Sequence, residues 1–261
     1  MNLHPVLDTS DWEVRFPEPG GSDANLWLVD PASGGYALFK PVVAKNGRRQ
    51  GEDWAEKSVE QVAALMGVPS ARITMASRER RPGLLSYDLA PPGQELQTGA
   101  VLIGEIDARL VPRARERLGH NLLNIHAVLS PLPAASMGDG GFTAYDQFCG
   151  YLLLDALVAN RDRHEENWAV LRDPLGSVTL APSYDHGNSL GFNLLDDRRK
   201  LELERDPTLV GWAARGMADR FEDGQGVTLV DFAQKALLRA APGTGGYWLQ
   251  RLAGVTGDDL R

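Results

Sequence analysis

The sequence is short of the residues that mark a disulfide-bonded, zinc-bound or nucleic-acid-binding protein. It has one cysteine, Cys149, which excludes internal disulfides and any cysteine-based zinc site. That residue lies in the apolar stretch Phe148–Leu154, where a buried structural thiol is expected rather than a nucleophile. The five histidines (His4, His120, His126, His164 and His186) form no HExxH, so a zinc hydrolase is the remotest of the enzyme readings. GxxxxGK followed by Ser or Thr is also missing, and with it a Walker-type nucleotide site. Positive charge is scarce: 27 Lys and Arg stand against 35 Asp and Glu, a net charge of -8. A basic surface for nucleic acid or anionic lipid is therefore not expected, and Arg78–Arg81 and Arg109–Arg117 read as solvated faces. No apolar run approaches the roughly 20 residues that span a bilayer. The first residues, MNLHPVLDTSDWEVRF, lack the basic region and apolar core of a signal peptide. The expected compartment is the cytoplasm.

What remains is an ordinary globular composition, 43% apolar and 24% charged over 261 residues, long enough for a well-buried core. Residues 26–43 read as two short strands, LWLV and YALF, around the turn residues Asp30 to Gly35. Residues 52–66 carry Trp54, Val59, Val62, Ala63 and Met66 at helical spacing, ended by Gly67 and Pro69. Two more strands follow, ARITMA and GLLSYDL. The polar segment Pro91–Gly99 marks a boundary, so the reading is an α+β bilobal chain: a small β-rich lobe over 1–97 and a larger, mainly helical lobe over 98–261. In the second lobe helices are expected near Ala114–Leu123, over Tyr145–Ala159, and over Leu209–Phe221, Leu229–Leu238 and Tyr247–Leu252. Trp168–Leu171 and Val178–Leu180 read as a hairpin closed by Asp173-Pro174-Leu175-Gly176. There is no internal repeat.

The chemistry concentrates in Asn160-Arg161-Asp162-Arg163-His164-Glu165-Glu166-Asn167, a polar loop between apolar elements. Asp162 and Asn167 have the Asp-to-Asn separation of a protein-kinase catalytic loop. There the Asp receives or orients the substrate hydroxyl proton and the Asn oxygen binds magnesium. After the hairpin, Tyr184-Asp185-His186-Gly187 places a carboxylate where kinases hold a second magnesium ligand. Hard oxygen ligands, one or two from protein and the rest from phosphate and water, are what magnesium takes, and Asn167 and Asp185 supply them. His164 is grouped with the nucleotide-site residues, with a role in orienting the loop backbone rather than in proton transfer. Upstream, Lys40 ends the strand YALFK, where a phosphate-contacting lysine stands in kinases. Its partner is a helix glutamate, Glu56 or Glu60, with Glu56 favoured because it borders the apolar face. The loop containing Gly21 and Ser22 could cover phosphates with backbone N–H groups, or be a plain surface loop.

ALFKP, GEDWAEKSVEQVAALMG, LLSYDL, LLLDALVANRDRHEENWAVL and LAPSYDHGNSLG together resemble the HipA-like serine/threonine kinases, in their short form without an extra amino-terminal module. The resemblance runs from about Gly20 to about Leu194. It implies ATP and Mg2+ as cofactors, Asp162 as catalytic base, Asn167 and Asp185 as metal ligands, and Lys40 on the nucleotide phosphates. It further implies that Ser86, Tyr87, Asp88 and Leu89 form the hinge against adenine. Members are bilobal kinases, the best known being bacterial toxins restrained by a DNA-binding antitoxin. Asn25 departs from the basic residue expected after the glycine loop, and no antitoxin-like segment accompanies the chain, so toxin activity is not implied. Ser22 is a candidate autophosphorylation site. The leading expectation is a protein Ser/Thr kinase acting on an unidentified protein or on itself. Two alternatives stand beside it: a nucleotide-binding pseudokinase serving as an interaction module, or the same fold acting on a small molecule or lipid, or transferring AMP.

Overall fold

A computed structural model describes residues 4–18, 25–138, 140–204, 211 and 214–256. The first part is a sheet of six described strands in the order β1-β7-β8-β4-β3-β2. They are β1 (Leu7–Asp8), β2 (Val14–Pro17), β3 (Leu26–Val29), β4 (Tyr36–Pro41), β7 (Ile73–Arg78) and β8 (Arg81–Tyr87). A two-stranded ribbon, β5 (Ala44–Lys45) with β6 (Arg48–Arg49), leads into helix α1 (Glu52–Met66). The turn at Asp30 to Gly35 is built as its residue types predict: Asp30 accepts from Ala32 N–H and the Ser33 hydroxyl. Central β4 pairs antiparallel with β3 on one side and β8 on the other, so Lys40 emerges from the middle of the sheet. Helix α1 buries Ala55, Glu56, Val59, Ala63 and Met66. It ends at Gly67, whose φ of 68° turns the chain back and lets its N–H meet Ala63 and Ala64 carbonyls.

Strand β9 (Glu95–Thr98) leaves this sheet and pairs with the hairpin of β10 (Ala169–Arg172) and β11 (Val178–Leu180). The division after residue 97 drawn from the sequence falls inside β9. The larger part centres on helix α4 (Ala144–Val158), packed against α3 (Leu122–Leu129), α6 (Leu229–Leu237) and α7 (Thr244–Ala253), with α2 (Gly99–Gly104) against α3; α5 (Asp196–Leu203) follows the segment after Asp185. Most faces of α4 are buried, which explains its near-continuous apolar sequence in place of a clean stripe. Thr143 and Asp146 cap it reciprocally. Asp146 also accepts from Ala241 N–H and the Thr244 hydroxyl at 2.8 Å each, tying α4 to the start of α7. Gly150 is required where Trp248 crosses the helix, since a Cβ there would lie 2.4 Å from the indole ring. Cys149 is wholly buried in this core, and burial pushes its thiol far above the ordinary value.

One expected helix is corrected, and so is the end of another. Residues 114–121 are turns and bends, and α3 begins only at Leu122. Arg113, Arg117 and Gly119 adopt positive φ, which a helix does not allow. Of the segment expected to be helical over Leu209–Phe221, residues 209, 210, 212 and 213 lie outside the described residues. Residues 214–221 form turns around an isolated bridge from Met217 to Thr228. No described helix is long and apolar enough to cross a membrane.

Candidate active site

The cation and the acids predicted from opposite ends of the chain meet. Lys40 Nζ lies 2.8 Å from Glu56 Oε1 and 2.9 Å from Asp185 Oδ1. Burial works against the ammonium charge, but Asp185 and Glu56 outweigh it and hold Lys40 protonated above the usual lysine range. In return Lys40, against the opposing effect of burial, draws the Asp185 carboxyl down to about 2. Asp185 is therefore ionised throughout the neutral range. Burial pushes the Glu56 carboxyl up, with Lys40 opposing. Glu60 is not the partner: it pairs with Lys57 and accepts from Ile73 N–H. Asp185 sits at φ +58°, one residue after Tyr184. Its turn is tied to the exit of α1 by an isolated parallel bridge between Ser183 and Ser70.

The polar loop after α4 is ordered by a buried cation. Arg163, 1% exposed, donates from Nε and Nη2 to the two oxygens of Asp155 at 2.8 and 2.7 Å. The same guanidinium donates to Asn167 O at 2.6 Å and to Ser183 Oγ at 2.9 Å. One side chain thus fixes both ends of the loop and the segment before Asp185. Inside the loop, Asn167 Nδ2 donates to Asp162 O at 2.7 Å. The Asn167 carboxamide oxygen is then the atom left for a cation. His164 Nδ1 accepts from Glu166 N–H at 3.2 Å. Asp162 lies between an ion-pair partner and a donor: Arg220 Nη2 stands 2.6 Å from Oδ1, which accepts no hydrogen bond among the described residues, and Asn188 Nδ2 donates to Oδ2.

Lys40, Glu56, Asp185, Asp162, His164 and Arg220 line one cleft of about 850 Å3, whereas Asn167 is not among its lining residues. Leu84 of β8 contributes to the lining, whereas Ser86, Tyr87, Asp88 and Leu89 do not. Ser86 and Tyr87 are engaged in strand pairing, and Asp88 N–H donates to Tyr36 O. Gly21 and Ser22 lie outside the described residues. Asn25 borders the cleft and donates to Glu18 Oε2 at 2.7 Å.

No protein-family model and no curated protein matches the sequence. The structure does superpose on that of the Helicobacter pylori proinflammatory kinase CtkA, with a TM-score of 0.61 at 17% identity. The match covers 79% of this chain and 69% of that one. The fold is that of a kinase. At such identity the likeness establishes the fold and nothing finer. The HipA toxin of Shewanella oneidensis MR-1, solved with HipB and operator DNA, aligns over 93% of this chain and 65% of that one. Its TM-score of 0.38 and 12% identity carry no argument.

Within this kinase fold, the sequence did not reveal Asn188, Arg220 or His120 as site residues. His120 is buried and joins two parts of the site. Its Nε2 must accept the Trp168 indole N–H at 3.1 Å, because an indole only donates. Its Nδ1 then carries the proton and donates to Arg220 O at 2.7 Å. Burial holds its pKa down to about 4, so the ring is neutral at physiological pH. Among the described residues no group of three or more His, Cys, Asp or Glu is arranged to hold a metal. The donors present, an ionised carboxylate and a carboxamide oxygen, instead suit a hard cation completed by phosphate and water.

Proposed function

We propose that the chain is an ATP- and magnesium-dependent phosphotransferase that transfers the terminal phosphoryl group to a serine or threonine hydroxyl of another protein or of itself. The observation that carries this reading is the bridge from Lys40 to Glu56 and Asp185, lining the same cleft as Asp162. A lysine that only decorated a strand edge would not be held between two carboxylates from distant segments.

In this reading Lys40 binds nucleotide phosphates, and Glu56 fixes the direction of its ammonium. Asn167 and Asp185 would hold magnesium, which would supply positive charge against the phosphates. Asp162 orients the acceptor hydroxyl in line with the terminal phosphorus. The acceptor oxygen forms its bond to phosphorus as the bond to the bridging oxygen breaks. ADP departs with that electron pair, and the hydroxyl proton passes to the Asp162 carboxylate. Most of the acceleration comes from positioning and charge neutralisation.

Intact-protein mass after incubation with ATP and magnesium tests this. Wild type should gain one or more phosphoryl masses, and Asp162→Ala should gain none while still binding nucleotide. A gain of one AMP mass would keep the site and change the reaction. Absence of both mass gain and nucleotide binding in wild type would defeat the reading.

A further inference from the structure

Asp162 is not free to act as a base in this arrangement. A cation sits 2.6 Å from one of its oxygens and an amide donates to the other, so neither oxygen is open to an incoming hydroxyl. Something must loosen this grip before a hydroxyl proton can be received.

Arg220 is built for such a change. Its backbone is anchored: its carbonyl accepts from His120, whose ring stacks on Phe221 with centroids 4.5 Å apart. The next residue but one returns the tie, Glu222 N–H donating to His120 O at 2.7 Å. The side chain, by contrast, is 38% exposed. It borders the main cleft and also a second cavity of about 370 Å3, and the two cavities share Asp162, Asn188 and Arg220. A guanidinium presents five donors in a planar fork that fits phosphate as well as carboxylate. Lys40 also lines the main cleft, but it is already paired with Glu56 and Asp185. The phosphate that comes nearest to Asp162 in an in-line transfer is the terminal one, and Arg220 is the cation beside it.

We propose that Arg220 is a further catalytic residue: its guanidinium engages the terminal phosphoryl group of a bound nucleoside triphosphate and in doing so loosens its hold on Asp162. The proposal rests on the phosphotransferase reading of the same site. A nucleoside diphosphate leaves the clamp closed and the base occupied. A triphosphate draws the cation away, frees Asp162 toward the second cavity, where the acceptor hydroxyl enters, and gains a counter-charge for the oxygens of the phosphoryl group in flight.

Calorimetric titration with magnesium and either ADP or adenylyl imidodiphosphate, a non-transferable triphosphate, tests this without knowledge of the acceptor. Arg220→Ala should weaken the triphosphate analogue by about tenfold or more, the size of a charge-assisted contact, and leave ADP unchanged. Asp162→Ala, which releases Arg220 from its carboxylate, should tighten the triphosphate analogue and again leave ADP unchanged. Equal effects on both nucleotides, or none on either, would overturn the role of Arg220. The Asp162→Ala arm decides the matter even if Arg220→Ala fails to fold. Wild type that binds neither nucleotide would defeat the phosphotransferase reading itself, a result distinct from loss of the triphosphate preference alone.

Discussion

Lys40→Met should lower phosphotransfer by on the order of 10²- to 10³-fold, the range seen when one preorganised electrostatic donor is removed from an active site. The side chain keeps its unbranched shape, one atom shorter, and loses its charge. Two effects then combine. The nucleotide phosphates lose a cation, and Asp185 loses the partner that draws its carboxyl down to about 2. Glu56, 3% exposed, is left with no ammonium at 2.8 Å, and burial drives it toward the neutral acid. Glu56→Gln should be milder, because an amide oxygen still accepts from Lys40 and the cation stays in place. Initial rates of phosphate transfer for the three proteins, with melting curves to verify folding, check this ordering. Equal losses for Lys40→Met and Glu56→Gln would count against Lys40 as the group that meets phosphate.

Asp155→Ala should be the most destabilising single change near the site, by about 3–5 kcal/mol, the usual result of stranding one member of a buried ion pair. Arg163 would keep its charge with 1% exposure and lose both carboxylate oxygens. The melting temperature should fall by roughly 10 °C in a chain of this size. Activity should fall too, because the same guanidinium positions Asn167 and Ser183. The double variant Asp155→Leu with Arg163→Met separates the two roles. Apolar replacement of a whole buried pair is often neutral or better for stability, so melting should recover while transfer stays low. Recovery of both would show that the pair serves folding alone.

The parts of the fold that were legible in the sequence are those whose signals are local. Helix α1 over Glu52–Met66 and strand β3 over Leu26–Val29 fall where spacing and turn residues put them. Glu56 was separable from Glu60 because one borders the buried stripe of α1 and the other does not. The segment 114–121 misled because its Ala, Arg, Glu and Leu residues favour helix, while the loop gives them other partners. Arg117 pairs with Glu165 at 3.7 Å, Gly119 N–H donates to Glu222, and His120 donates to Arg220 O. Arg220 and His120 carry no local signal at all. Their roles come from the packing of Phe221, Trp168 and His120 side by side, contacts between segments that are far apart in the chain. Spacing identified Asp162, but not the cation and the amide that hold it.

The isolation of Cys149 makes the chain its own reporter. A single thiol, wholly enclosed in the central helix and held far from ionisation, meets an alkylating reagent only when that helix comes away from its neighbours. The pace of alkylation under native conditions therefore counts the opening events of the innermost layer, as amide exchange does for backbone groups. Cysteines introduced elsewhere for dyes or spin probes would label against a silent background, with no native thiol to remove first.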